Sequence, residues 1–317
     1  RRAPELASAR VRAGDDAGLS PAVRELWRRR SAAADETSPP LHLSIRDERT
    51  WAIEPWLAGR DRQALLDARR RHLDGLIDAL RGAFAAANTE LHVEVLDLAE
   101  QDVRLRSLRG RDPVLSLDPC LPGDLNLAVS RCFELAADVS RPALVARPGS
   151  PAIADQLAAL PRDSPPVLLF DDDSVTGRTL AEVRLLLRGH VEVGRAQSLW
   201  ATRPGASARR ELCDARDLLP GTRAGGLVVA LPDGALGRAP YLLPYVRPSA
   251  RLQLPRVAEV EFSRIVWSLA ADFFAAVTPA IRLADADPAL RRLAAYLEFA
   301  ADTPMEALCR WHADRLG

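Results

Sequence analysis

One segment limits the fold of this chain more than any other: VLLFDDDSVTGRTL, at residues 167–180, where an apolar run meets three adjacent aspartates. Residues 167–170 have no alternating polar positions, which predicts a strand covered on both faces, as in parallel sheets. Gly177 allows a tight turn before a helix that we predict to begin near Thr179. Three adjacent carboxylates repel one another, so we expect a cation or a hydroxyl-rich ligand to meet them. The order of strand, acidic turn and helix predicts a ligand-binding edge of an α/β sheet.

Strand and helix patterns alternate on both sides of this segment, which is typical of a parallel sheet in an α/β fold. We predict strands at 41–47, 91–98, 112–118, 142–147, 167–170, 191–201 and 225–234. We predict helices at 21–30, about 60–88, 126–139, 152–160 and 179–189, followed by three more at 262–277, 288–301 and 304–316. The last two begin at Asp287-Pro288 and Thr303-Pro304, a polar residue followed by proline that commonly starts a helix.

Charge and composition exclude several classes of function. Lys+Arg and Asp+Glu both total 43, so the formal net charge is zero. Proteins that bind duplex nucleic acid usually carry a basic excess, so we expect no nucleic-acid partner. Every basic residue is arginine, which removes a Schiff-base lysine, a lysine general base and a P-loop lysine.

The four cysteines form no C-x-x-C pair, so we expect reduced thiols and neither a zinc site nor a disulfide framework. No run of about 18 apolar residues predicts a membrane span. These features favour a cytoplasmic protein with no membrane partner. The chain begins at Arg1 rather than Met, which leaves open a start inside a longer gene product.

The chemistry of the acidic turn indicates a phosphorylated sugar. Free amides at the start of a helix, together with the hydroxyls of Ser174, Thr176 and Thr179, suit a phosphate monoester. Asp171 and Asp172 can accept hydrogen bonds from vicinal sugar hydroxyls, or hold Mg²⁺ directly or through water. A ribose with a 5′-phosphate satisfies both halves of the turn.

These residues resemble the signature of type I phosphoribosyltransferases, in which an apolar strand, two acidic residues and a short spacer precede T-G-x-T at the start of a helix. The resemblance implies an enzyme of nucleotide metabolism that binds phosphoribosyl pyrophosphate and Mg²⁺, and transfers the phosphoribosyl group to a small-molecule acceptor with release of pyrophosphate. It implies that Asp171 and Asp172 are the catalytic, ribose-binding and metal-binding residues. The residues that it assigns to the 5′-phosphate are Val175, Thr176, Gly177, Arg178 and Thr179.

The flanks of the signature extend the resemblance over roughly residues 124–201. ALVARPGSPAIA, at 143–154, is similar to the family's strand and turn that contact pyrophosphate, which nominates Arg147, Gly149 and Ser150. Arginine suits this role because its planar fork can bond two oxygens at once. We therefore expect an N-terminal helical or irregular segment (1–40), an α/β extension (41–118), a phosphoribosyltransferase-like core (119–250) and a C-terminal helical region (251–317).

Two departures from the family pattern keep alternatives open. Val175 replaces an aspartate that members acting on 6-oxopurines use to handle the base proton. Only roughly 20 residues separate Ser150 from Asp171, where many members place a mobile flap. A non-catalytic protein that senses a phosphosugar or nucleotide on the same fold therefore remains an alternative. The sequence does not identify the acceptor. It also leaves the oligomeric state undecided, with a homodimer as one alternative.

Two further alternatives concern the turn itself. Asp171-x-Asp173 after an apolar strand also fits the nucleophile motif of haloacid-dehalogenase-like phosphatases, with Asp171 attacking phosphorus and Asp173 acting as acid and base. An ordinary strand-to-helix turn capped by Ser or Thr explains the hydroxyls but not the three carboxylates.

Overall fold

The structure is a computed structural model that describes residues 41–134, 142–174, 177–201, 209–252 and 254–317. All of these residues belong to one compact unit that extends from Pro39 to Gly317. The helix predicted at 21–30, and with it the predicted segment 1–40, lies outside the described residues.

The described elements alternate between strands and helices, which confirms an α/β protein. The strands are β1 (Leu41–Asp47), β2 (Leu91–Asp97), β3 (Val114–Ser116), β4 (Leu125–Asn126), β5 (Val129–Glu134), β6 (Ala143–Ala146), β7 (Val167–Ser174), β8 (Val193–Ala201), β9 (Arg209–Asp214), β10 (Leu227–Ala230) and β11 (Leu236–Ala239). The α-helices are α1 (Arg49–Ile53), α2 (Arg62–Ala85), α3 (Leu98–Arg109), α4 (Ile153–Ala158), α5 (Arg178–Leu186), α6 (Ser249–Leu252), α7 (Glu259–Ala275), α8 (Pro288–Tyr296) and α9 (Met305–Arg315).

The described strands form three sheets, two of which are entirely parallel. The first has the order β2-β1-β9, and the second has the order β4-β3-β7-β8. In the third, β11-β10-β5-β6, only β10 and β5 run parallel, and the two outer pairs are antiparallel. The parallel sheet predicted from the sequence is therefore confirmed, and a mixed sheet accompanies it.

Strand pairing crosses the predicted boundary at residue 118. Strand β9 lies beside β1, with Asp214 opposite Arg46, and β3 lies beside β7, with Ser116 opposite Phe170. Parallel neighbours need a crossover connection, so sheet partners come from distant parts of the chain. The predicted boundaries at 118 and 250 thus both lie inside the one compact unit.

One predicted helix is wrong. Residues 126–139 have helical spacing of apolar side chains, yet the structure places β4 and β5 there, and residues 135–139 lie outside the described ranges. Strand β5 pairs with β10 on one side and with β6 on the other. These two neighbours supply the backbone hydrogen bonds that the local pattern assigned to a helix, so tertiary pairing overrides local spacing.

Strand β7 is covered on both faces, as its unbroken apolar run predicts. Val167 and Leu169 pack into a core cluster with Val183 of α5, while Leu168 and Phe170 pack on the other face with Leu105 of α3. A rigid, buried β7 therefore carries the acidic residues at its carboxyl end.

The largest core cluster joins the first sheet to the C-terminal helices. Helix α2 buries Leu65, Leu76 and Leu80 at the predicted helical spacing, and the Trp56 ring lies 5.4 Å from the Phe274 ring of α7. All four cysteines are buried. Within the described ranges, we find no helix with both the length and the apolar character to cross a membrane.

Candidate functional site

The carboxyl ends of strands from both parallel sheets meet at one group of buried charges. Arg46, near the end of β1, is completely buried and donates to carboxylates from three other chain segments. Its Nη2 lies 2.7 Å from Oδ2 of Asp118, and its Nη1 lies 2.5 Å from Oδ2 of Asp172 and 3.2 Å from Oδ1 of Asp214. Its Nε donates to Gln101 at 2.9 Å. This guanidinium therefore links the ends of β1, β7 and β9 and the loop after β3.

A second buried guanidinium, that of Arg216, lies beside the first. It lies 2.9 Å from Oδ2 of Asp214, 3.2 Å from Oε1 of Glu48 and 3.9 Å from Oδ2 of Asp172. Its Nη1 also contacts the thiol of Cys120. Burial lowers the pKa of Arg216, but its anionic neighbours together outweigh that effect and raise the pKa well above its ordinary value. Both arginines are therefore fixed cations.

Carboxylates outnumber cations in this group, which we call the charge cluster: five carboxylates around two guanidiniums. Its members are Arg46, Arg216, Glu48, Asp118, Asp171, Asp172 and Asp214. Burial, and then the charges of Asp172 and Asp118, raise the pKa of Asp171 well above its ordinary value. Burial also raises the pKa of Glu48 to about 7. Full ionisation of the five carboxyl groups would leave excess negative charge, which protons or an added cation relieve.

Asp171 and Asp172, the two residues predicted to bind ribose, have different contacts. Asp172 accepts from Arg46 through Oδ2 and from the amide of Asp173 through Oδ1, at 2.8 Å. Asp171 accepts the amide of Asp172 at 3.1 Å, and within the described chain it has no arginine partner. Asp171 is therefore the carboxylate that is better placed to meet a ligand, whereas Asp172 is already paired with Arg46.

Asp171 borders a cleft of about 180 Å³ that we call the first cleft, together with Arg131, Arg147, Thr179 and Arg238. Asp172 and Asp173 also line it. Residues predicted separately to bind ribose, 5′-phosphate and pyrophosphate are therefore brought to one cavity. Carboxylates and guanidiniums both line this cavity.

An adjoining second cleft, of about 440 Å³, contains the rest of the predicted pyrophosphate turn. Gly149 and Ser150 line it with Trp51 and Arg223, and Arg147 and Arg238 border both clefts. Gly149 has a φ of 88°, a left-handed conformation that favours glycine, and the Ser150 amide donates to the Arg147 carbonyl at 2.9 Å. The turn that the sequence predicts within 143–154 is therefore present, and its residues Gly149 and Ser150 line the second cleft.

The start of α5 is only partly described, since Val175 and Thr176 lie outside the described residues. Gly177 precedes the helix with a φ of 69°, as the predicted tight turn requires. Arg178 is exposed and pairs with Glu182 at 2.8 Å. The hydroxyl of Thr179 accepts from Nε of Arg131 at 3.1 Å. Thr179 thus lies in the first cleft beside a cation that comes from β5.

Sequence reasoning missed several of the charged groups around the clefts. Arg46, Asp118, Asp214 and Arg216 all lie at or just after the carboxyl end of a strand, and Arg131 and Arg238 lie on β5 and β11. A usable signal was present, because charged residues that end an apolar strand mark the same sheet edge as the three aspartates do.

The donor set fits Mg²⁺ only in part. Across the described ranges, no group of three or more His, Cys, Asp or Glu side chains is arranged to hold a metal ion. Mg²⁺ is commonly bound by one or two carboxylates together with water and substrate phosphates, so a full protein cage is not required. Asp171 fits this role, and the excess of carboxyl groups over guanidiniums in the charge cluster favours a cation beside it. Asp172 fits less well, because Arg46 already neutralises its carboxylate.

Comparison of the chain with models of known protein families, with curated proteins and with solved structures gives no match.

Proposed function

We propose that the first and second clefts bind phosphoribosyl pyrophosphate with Mg²⁺, and that the chain transfers the phosphoribosyl group to a small-molecule acceptor. Asp171 would accept hydrogen bonds from the ribose hydroxyls. Thr179 and Arg131 would hold the 5′-phosphate, while Arg147 and the turn through Gly149 and Ser150 would hold the pyrophosphate.

A single observation supports this proposal most strongly: Asp171, Thr179 and Arg147 border one cavity although they lie on three different elements. A carboxylate suits sugar hydroxyls, and a guanidinium suits phosphoryl oxygens. A ligand with a sugar between two phosphorylated ends meets both requirements at once. A ligand with a single phosphate would engage only part of this set of residues.

In the proposed reaction the bond from the anomeric carbon to pyrophosphate breaks as the acceptor's nucleophile bonds to that carbon, and the acceptor loses its proton to solvent. Arg147 stabilises the negative charge that develops on the departing pyrophosphate, and Asp171 stabilises the positive charge on the ribose ring. Mg²⁺, when bound, would neutralise pyrophosphate oxygens. Most of the rate enhancement would come from holding donor and acceptor in position.

Binding without turnover is the second candidate function, and the ion pair between Asp172 and Arg46 favours it. One of the two acidic residues of the family signature is then already neutralised by a buried guanidinium, although it lines the first cleft. A site that keeps Asp171 and the arginines would still recognise the ligand. It would lack one carboxylate that the resemblance assigns to catalysis.

The test is calorimetric titration of phosphoribosyl pyrophosphate with MgCl₂, followed by assay of pyrophosphate release over a panel of acceptors. Asp171→Asn should weaken binding by at least about tenfold, because a hydrogen bond to a charged group contributes about 1.5–3 kcal/mol. Asp163→Asn, at an exposed turn residue, is the matched control and should bind like the wild type.

The outcomes separate the candidates. Binding with release establishes the transferase, and binding without release over the whole panel leaves the sensing function. Unchanged affinity in Asp171→Asn would remove the site assignment. Hydrolysis of simple phosphate esters that Asp171→Asn abolishes would support a phosphatase instead.

A further inference from the structure

The buried arginines around the clefts fall into two kinds. Arg46 and Arg216 have carboxylate partners, and those carboxylates raise both pKa values above the ordinary value despite burial. Arg147 and Arg238 donate mainly to backbone carbonyls, and burial lowers both pKa values. Only the second kind borders both clefts.

Arg238 lies on β11 and is 5% exposed. Its Nη1 donates to the carbonyls of Ala224 and Gly226 at 2.9 and 3.1 Å. The nearest carboxylate oxygen, Oδ1 of Asp287, is 4.0 Å from Nε and also accepts the amide of Ala289 at the start of α8. Burial lowers the pKa of Arg238 to about 10, which Asp287 opposes and the charge of Arg147 reinforces.

Arg147 follows β6 and has a similar environment. Its Nη2 donates to the carbonyls of Leu117 and Val129 at 2.5 and 3.2 Å. Within the described chain it forms no ion pair. Asp118, Asp171 and Asp172 raise its pKa from a distance, but burial and Arg216 outweigh them.

Carbonyl oxygens satisfy hydrogen bonds of these guanidiniums without cancelling their charge. A buried cation with no counter-ion costs free energy, and a second cation nearby increases that cost. An anion bound between the two would offset both costs. Each planar guanidinium has five N–H donors, so the carbonyl bonds do not use up its capacity to bind oxyanions.

We propose that Arg147 and Arg238 together bind one oxyanion with two or more negative charges, of the diphosphate class, on the wall that the two clefts share. This two-arginine site rests on the proposed function in one respect only: the anion that it binds in the cell would be the pyrophosphate end of the phosphoribosyl donor. Arg238 is then a binding residue that lies on β11, beyond the stretch of the chain that resembles the transferase signature.

The experiment uses inorganic pyrophosphate alone, without Mg²⁺ or sugar, titrated into the full chain by calorimetry. Arg147→Gln and Arg238→Gln should each weaken pyrophosphate binding by at least about tenfold, and Arg238→Lys should restore part of it because the charge returns. The matched control is Arg292→Gln, since Arg292 is exposed on α8 and donates to the carbonyl of Leu236 at 2.7 Å without bordering either cleft.

A double variant tests whether both arginines hold the same anion. If they do, Arg147→Gln with Arg238→Gln loses less affinity than the product of the two single losses. This departure of the double variant from the product of the single losses should be larger for pyrophosphate than for inorganic phosphate. Arg238→Gln removes two hydrogen bonds between β11 and the loop before β10, so hydrogen exchange of the wild type provides a second measurement that needs no variant. Pyrophosphate should slow exchange at residues 147–150 and 224–226.

Full pyrophosphate affinity in folded Arg238→Gln, or no protection at 224–226 in the wild type, would overturn the two-arginine site. That result would leave the proposed transferase intact if phosphoribosyl pyrophosphate still binds through Asp171. The opposite result is also informative. If the chain binds pyrophosphate through the two arginines but does not bind phosphoribosyl pyrophosphate, the anion site is supported and the proposed function is wrong.

Discussion

The guanidinium of Arg46 lies 2.5 Å from the carboxylate of Asp172, although 126 residues separate them along the chain. The contact joins β1 of one parallel sheet to β7 of another, and it neutralises one member of the acidic pair that lines the first cleft. Arg46 is completely buried, and Asp172 retains 17% of its side-chain exposure. The ion pair therefore joins the two parallel sheets at a residue that lines the first cleft.

Replacing Arg46 by Met should destabilise the fold strongly. Removing one partner of a buried ion pair leaves the other buried and uncompensated, which typically costs about 3–5 kcal/mol. Urea denaturation should show a loss in the free energy of unfolding of this size. The matched control is Arg106→Gln, which removes an exposed ion pair with Asp102 on α3 and should cost less than about 1 kcal/mol. A loss in Arg46→Met as small as in the control would mean that Arg46 does not hold the strand ends together.

Glu48 should make stability fall as the pH rises. Its folded pKa of about 7 exceeds its ordinary value of 4.5, so the folded state binds the proton more tightly. The stabilising contribution is fully present below pH 4.5 and is lost as the pH rises through 7, by on the order of 3 kcal/mol. Glu48→Gln mimics the protonated side chain, so its stability relative to the wild type should increase between pH 5 and pH 8.

The measurement for Glu48 is urea denaturation of both proteins at several pH values in this window. The difference between variant and wild type isolates Glu48 from other buried titrating groups such as His72. Glu192→Gln, at an exposed position, serves as the control and should show a constant difference from the wild type. A constant difference for Glu48→Gln as well would contradict a raised pKa at this site.

Arg131 should select for the phosphorylated end of the sugar. Its Nε donates to Thr179, its Nη1 pairs with Glu182 at 2.6 Å, and its Nη2 is buried without a partner among the described residues. Arg131→Gln should weaken binding of ribose 5-phosphate by about tenfold or more, because a charge-assisted hydrogen bond is lost.

Competition calorimetry with ribose 5-phosphate and with inorganic pyrophosphate checks the assignment of Arg131. Pyrophosphate affinity should be little changed in Arg131→Gln, since the predicted pyrophosphate residues Gly149 and Ser150 line the second cleft. Arg188→Gln, beyond the end of α5, is the control. If Arg131→Gln loses affinity equally for both ligands, Arg131 acts through its charge on any anion and does not bind one end of the donor specifically.

Local patterns predicted those elements whose neighbours reinforce them. The alternation of LHLSIRD places β1 at its observed bounds, Leu41–Asp47, and the apolar run at 167–170 correctly indicates a strand with both faces covered. The helix predicted at 126–139 is wrong because β5 pairs with β6 and β10, and the local sequence pattern contains no information about these distant partners. Helix α3 was missed although Asp97 and Glu100 form a capping box that marks its start.

The candidate site likewise contains residues that a local motif predicts and residues that only the fold brings together. Asp171, Thr179 and Arg147 were found because each belongs to a short motif with its own chemistry. Arg46 and Arg216 were missed because their partners are assembled by the fold: Arg216 lies 168 residues from Glu48 along the chain and within 3.2 Å of it in space. The unequal roles of Asp171 and Asp172 follow from those contacts, and the sequence alone treats the two as a pair.

We propose, above all, that the first and second clefts together recognise a sugar with both of its phosphorylated ends. The most direct test compares the affinities of the wild type for phosphoribosyl pyrophosphate, ribose 5-phosphate and inorganic pyrophosphate at one Mg²⁺ concentration. Phosphoribosyl pyrophosphate should bind at least about tenfold tighter than either fragment, because one ligand engages both ends of the site at once. Affinity for the intact donor no greater than that for the better fragment would contradict the account.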